Sequence, residues 1–168
     1  MKILITDTNI LFDLLHTGIL PEFFALEYQI ITTSFVIEEI LDPLQKEKVE
    51  YFVRAGKLTV HKFTGNEIGE IEQFKTHRNL KRFTDRTIIW TALQMNAIIL
   101  TGDKKIRAES LELGLQVHGI LWVLELLVER QLIGKEYAIE ILDVLKKINE
   151  RLPGEDIERL FSKFRNKT

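Results

Sequence analysis

The chain has 168 residues, 45% of them apolar and 29% charged, with a formal net charge of −2 and a pI near 6.1. This length suits one domain, and the near-balanced charge argues against nucleic-acid binding over the whole surface while leaving room for a local basic patch. The chain has no cysteine, which excludes disulfides and thiolate-bound zinc, and no apolar run reaches the ~18 residues of a membrane span or suits a secretory signal, so a cytoplasmic location without membrane contact is expected.

Taken in chain order, Ile3-Leu4-Ile5 is a β-branched-rich run that predicts a strand buried on both faces. It ends at Asp7-Thr8-Asn9, and a helix is expected from there through Leu15. Residues 28–31 read as a second strand, after which Thr33 and Ser34 supply caps for a helix reaching Leu41 and stopping near Pro43. A charged helix over 45–55 ends at Gly56, a third strand follows over 58–63, and a helix spans 66–77. Thr84 is placed to cap a helix running to about Met95, with Ile88, Ile89, Ala92 and Leu93 on its buried face. Residues 97–101 form a strand broken by Gly102, a helix runs from about Asp103 to Leu113, and 115–118 form a last short strand. After Gly119 the pattern is helical, over 120–133, 135–150 and 156–164, punctuated by Gly134 and Pro153-Gly154.

Strands alternating with helices predict a three-layer α/β/α sandwich with a mostly parallel central sheet, followed by C-terminal helices. Residues 1–118 make up the sheet-bearing part, and 119–168 a helical extension packed on the same domain. In parallel sheets, sites form at the carboxyl ends of strands. Asp7 and Asp103 each stand where an apolar strand gives way to a helix, so both belong on one edge of the sheet.

The chemistry lies in the acids. Three or four carboxylates converging on one pocket repel one another and invite a hard divalent cation such as Mg²⁺ or Mn²⁺. Such an ion polarises a phosphodiester and lowers the pKa of water. The candidate set is Asp7, Glu38 or Glu39, Asp85 and Asp103. Each has a plainer role. Asp7, Asp85 and Asp103 stand at predicted helix N-termini, where carboxylates cap free N–H groups and oppose the helix dipole. Either Glu alone is an ordinary surface charge. With Val36, Ile37, Ile40 and Leu41 as the expected buried stripe, Glu38 and Glu39 flank it almost symmetrically, and periodicity does not choose between them.

Here the residues carry a resemblance. Asp7-Thr8-Asn9 after an apolar strand resembles the first motif of the PIN-domain family. Residues 34–40 resemble its second motif, in which a Glu precedes an aliphatic residue, and this favours Glu39. Thr84-Asp85-Arg86 opening an apolar helix resembles the third motif, and Thr101-Gly102-Asp103 after a strand the fourth; the last two acids are 18 residues apart, close to the family's spacing. The resemblance covers residues 1–118, with the motifs in order. It implies an α/β/α sandwich and Mg²⁺- or Mn²⁺-dependent endonucleolytic cleavage of RNA by Asp7, Glu39, Asp85 and Asp103. It also makes Asn9 and Thr101 the hydrogen-bonding neighbours of those acids. Small prokaryotic members of similar size act as toxins of toxin–antitoxin pairs and often dimerise, so an RNA substrate, an antitoxin protein and a homodimer are the implied partners. Gly119-Ile120-Leu121-Trp122 resembles a Gly-then-apolar motif in a subgroup with added C-terminal helices.

Lys75, His77, Arg78, Lys81, Arg82 and Arg86, with Lys104, Lys105 and Arg107 after the last acid, are candidates to reach phosphates; Arg82, Arg86, Lys104 and Lys105 lie nearest the acids. A solvated loop and helix face is the plainer account of the same charges. The four histidines have no metal-ligand spacing. Two alternatives stand beside the nuclease. A haloacid-dehalogenase-like phosphatase also uses an Asp after the first strand with Mg²⁺, but wants a second acid where Asn9 stands. A PIN-like module that binds RNA or protein without turnover needs only the fold.

Overall fold

The computed structural model describes residues 1–166. A five-stranded, all-parallel sheet runs in the order β3-β2-β1-β4-β5. Its strands are β1 (Ile3–Thr6), β2 (Gln29–Thr33), β3 (Leu58–His61), β4 (Ile98–Leu100) and β5 (Val117–His118). β1 lies at the centre because Leu4 and Ile5 are wholly buried and tolerate helices on both faces. The register sets Thr6 of β1 beside Leu100 of β4, and the N–H of Asp7 continues the ladder onto the Leu100 carbonyl at 3.0 Å.

Two groups of helices cover the sheet. α6 (Phe83–Met95) crosses β1, β2 and β4, with α3 (Ser34–Glu38), α5 (Gly65–Gln73) and α7 (Lys104–Glu112) against it. α1 (Thr8–Thr17) and α2 (Leu20–Phe24) meet α8 (Ile120–Glu129), while α9 (Lys135–Ile148) packs on α1 and α10 (Gly154–Arg165) on α9. α4 (Pro43–Arg54) lies against the edge strand β3. One hydrophobic core runs from Leu4 and Ile5 through Leu124, Leu142 and Phe161, so the C-terminal helices share the interior of the sheet.

The departures from the sequence reading have local causes. The helix expected to reach Leu41 ends at Glu38, with Glu39 as its C-cap. Asp42 then caps α4 and Pro43 occupies its first turn, so the proline that was expected to stop one helix starts the next. Leu41 is consequently 86% exposed and does not join Val36 and Ile40 in the core. Thr84 is not a cap. α6 begins at Phe83 after Arg82, and the carbonyl of Thr84 accepts from the Thr87 hydroxyl at 2.6 Å. The short α2, which brings Phe23 and Phe24 into the core, had no expected counterpart. α9 buries Ala138, Ile141, Leu142 and Leu145.

Candidate active site

Asp7 follows β1 and caps α1; its Oδ1 accepts the Thr8 N–H at 2.7 Å. It is 3% exposed. Its Oδ2 accepts the Thr101 hydroxyl at 2.8 Å, and the same hydroxyl oxygen accepts the Asp103 N–H at 3.1 Å. Asp103 caps α7, its Oδ1 taking the N–H groups of Lys105 and Ile106 at 2.8 and 3.0 Å. These caps leave Asp7 and Asp103 side by side at the carboxyl ends of adjacent parallel strands.

Glu39 reaches the same edge from the end of α3. Its Oε2 accepts the Thr8 hydroxyl at 2.6 Å, and its Oε1 pairs with Arg82. Glu38 is exposed. The early end of α3 thus decides between two residues that helical periodicity treats alike. Asp85 stands in the first turn of α6, with Oδ1 3.8 Å from Nε of Arg82.

The charges are crowded. Burial pushes the Asp7 carboxyl above its ordinary range, and Glu39 adds to this against the hydrogen bonds from Thr101 and Thr8. Burial raises Asp85 to about 6; Arg82 opposes the rise, while Asp7, Asp103 and Glu39 reinforce it. Burial alone would raise Glu39 too, but Arg82, Thr8 and Thr84 outweigh it and hold that carboxyl low. Four acids therefore share one electrostatic neighbourhood in which the guanidinium of Arg82 is the interposed cation. An all-oxygen donor set with surplus negative charge fits a hard divalent ion.

The remaining sequence candidates divide. Asn9 lines a groove beside Thr101 and Gly102, as does Lys104. Lys105 is exposed in the first turn of α7. Arg86 is engaged by backbone carbonyls. Its guanidinium donates to the carbonyls of Glu72 and Phe74 at 2.7 and 2.8 Å and secures the end of α5. Arg78 pairs with Glu112 at 2.6 Å. The basic stretch before α6 is therefore largely a clasp on its own loop. Glu109, fully buried on α7, completes that clasp by accepting the N–H groups of His77 and Arg78 at 2.9 and 2.8 Å.

The histidine spacing proved uninformative, since the fold assembles His77 with acids more than thirty residues away. Among the described residues, the ligand atoms that lie within 4.8 Å of one another are those of His77, Glu109 and Glu112. The Arg78 side chain and two backbone N–H groups already satisfy these carboxylates. The contribution of Thr8 was also missed. Its link to Glu39 spans 31 residues, and the sequence signal for it is only a hydroxyl next to the first acid.

A parallel sheet with carboxylates gathered at the ends of its central strands is the arrangement of an α/β protein that carries its site at the carboxyl edge of the sheet. The model of a family described as PIN domain matches residues 3–166, and the chain belongs to that family, whose members are typically metal-dependent nucleases. The match includes the C-terminal helices. Among solved structures, a PilT N-terminus domain protein from the hyperthermophilic archaeon Sulfolobus solfataricus P2 is similar at 13% identity and a TM-score of 0.46, over 76% of this chain and 95% of that one. No curated protein matches. No helix among the described residues is long and apolar enough to cross a membrane.

Proposed function

We propose that the protein is a divalent-metal-dependent endoribonuclease whose catalytic and metal-holding residues are Asp7, Glu39, Asp85 and Asp103. The observation that carries this reading is the gathering of four carboxylates from four separate chain segments into one electrostatic neighbourhood. Mg²⁺ or Mn²⁺, when bound there, supplies charge neutralisation at the phosphodiester and acidifies the attacking water. The protein's own part is to hold the acids ready. Thr101 aims Asp7, Thr8 aims Glu39, and the α7 N-terminus fixes Asp103. Arg82, more than half exposed beside Glu39 and Asp85, presents a guanidinium suited to a phosphate oxygen. Lys104 and Lys105, exposed in the first turn of α7 directly after Asp103, add positive charge beside that acid.

A toxin role in a toxin–antitoxin pair is the form of this activity we favour. The exposed Leu41, Leu44 and Tyr51 on and beside α4 support it, being apolar surface suited to an antitoxin or a second copy of the chain. The phosphatase alternative lacks its second acid, because Asn9 occupies that position.

The test is cleavage of a single-stranded RNA by purified protein with Mn²⁺ or Mg²⁺. Asp7→Asn, Glu39→Gln and Asp103→Asn should each lose at least ~100-fold in rate while keeping wild-type circular dichroism. Chelator should abolish wild-type turnover. Undiminished cleavage in the three variants overturns the assignment.

A further inference from the structure

We propose that the groove between α1, the β4–α7 turn and the α9–α10 connection holds the single-stranded RNA next to the cleaved bond, with Arg107, Lys147 and Arg151 on its phosphates and the His118–Trp122 pair under one base. The proposal rests on the nuclease reading and extends it to a site outside the acid cluster. The groove encloses about 1210 Å³, more than a small-molecule pocket of roughly 300–1,000 Å³ needs. It starts at Asn9, Thr101 and Gly102, against the acids, and ends at the connection following α9.

Arg107 lines the groove beside Thr101 and Gly119. Its Nη1 lies 3.4 Å from the Val117 carbonyl, and its Nη2 lies where a Cβ on residue 119 would meet it at 3.4 Å, with the Thr101 carbonyl at 3.6 Å. Gly119 has φ −118° and ψ −172°, extended backbone that any residue adopts. The guanidinium therefore lies in van der Waals reach of position 119, against the backbone that leads from β5 into α8. Among the described residues Arg107 makes no ion pair with a carboxylate, and neither do Lys147 and Arg151. Arg159, on the same groove, is consumed by Glu125 and Asp156. Of the four lining acids, Glu125 and Asp156 are thus paired and Asp13 is tied to Asn149 at 2.9 Å, leaving Glu150 on the rim. The Asp13–Asn149 bond also ties the end of α9 to α1, which fixes the far wall.

The imidazole of His118 and the indole of Trp122 stack at 4.2 Å with an interplanar angle of 11°. Burial and the nearby Arg107 keep His118 below its ordinary pKa, so the pair offers neutral π faces. A base extends such a stack only when it is unpaired, which selects single strands over duplex.

The experiment measures binding and cleavage of a fluorescein-labelled 12-nucleotide single-stranded RNA and of the same sequence as duplex. The variants are wild type, Lys147→Glu/Arg151→Glu, Arg107→Ala, and the control Lys48→Glu on α4. Lys147 and Arg151 are exposed side chains outside the core, so the double reversal leaves the core untouched. It should weaken single-strand binding roughly tenfold and flatten the salt dependence, raising KM with little change in kcat. Arg107→Ala should weaken binding several-fold, and the control should leave it unchanged. If the double reversal cleaves and binds like wild type, the groove assignment fails while the nuclease stands. Binding that responds to the groove variants without cleavage in any divalent ion keeps the groove and removes the nuclease. Equal affinity for duplex overturns the single-strand assignment.

Discussion

The hydroxyl of Thr101 reaches across 94 residues to donate to Asp7 at 2.8 Å. The same oxygen takes the Asp103 N–H, so a single buried side chain aims one acid and anchors the backbone of another. Thr101→Val keeps the shape and removes the hydroxyl. It should lower RNA cleavage by ~10–100-fold, with divalent-ion affinity falling in parallel. Thr101→Ser should recover most of both. Steady-state kinetics and Mn²⁺ calorimetry on the two variants check this; equal loss in Ser and Val would mean that packing, not hydrogen bonding, matters at this position.

Glu38 and Glu39 provide a paired comparison. Glu39 touches Thr8 and Arg82, while Glu38 is exposed. Glu39→Gln should abolish cleavage, and Glu38→Gln should stay within about twofold of wild type, as for an ordinary surface change. A reversed result would place the end of α3 wrongly.

Like charges held close cost stability, and activity is the return. Asp85 is raised to about 6 by burial, reinforced by the other three acids against Arg82. Asp85→Asn should therefore stabilise the metal-free protein at neutral pH by about 1 kcal/mol once solvent screening is allowed for, while eliminating turnover. Urea denaturation in chelator measures the first effect. A destabilised variant would show that the contact with Arg82 outweighs the crowding.

Arg82 sits among the acids as a built-in cation. Replacing it with Gln should tighten Mn²⁺ binding by roughly tenfold, since a competing positive charge is withdrawn. Calorimetry at constant ionic strength decides; weaker binding would mean that Arg82 holds Glu39 in place more than it competes.

Away from the acids, burial raises Asp13 from its ordinary 3.8 to about 6, against the hydrogen bond from Asn149 and the nearby His16. A carboxyl raised by folding favours the folded state when protonated. Its contribution is complete below 3.8 and is lost as pH rises through about 6. Asp13→Asn should remove that dependence and leave the protein about 1–2 kcal/mol more stable than wild type at pH 7. Parallel stability–pH profiles for the two proteins would refute this.

Much of this was legible in the chain. Ile3-Leu4-Ile5 and residues 97–101 announce buried strands, and the acid that follows each is placed by that fact alone on the sheet's carboxyl edge. Glu39 was not legible from periodicity, because its direction depends on where α3 stops, and that depends on Asp42 and Pro43 starting the next helix. The roles of the arginines were hidden for another reason. Arg82 and Arg86 are four residues apart with the same charge, yet one faces the acids and the other donates to the carbonyls of Glu72 and Phe74. Local composition carries no information about which carbonyls a folded loop will offer.

The placement of β4 beside β1 has a consequence for synthesis. A growing chain that has made β1, β2 and β3 already carries Asp7 and Glu39, but the side of β1 that receives β4 is still bare. Asp85 arrives later, and Asp103 and Thr101 last, so the charge that would draw in a cation is completed only when the fourth strand docks. Metal binding is thereby tied to completion of the sheet, and the chain carries no finished cation site until β4 is in place.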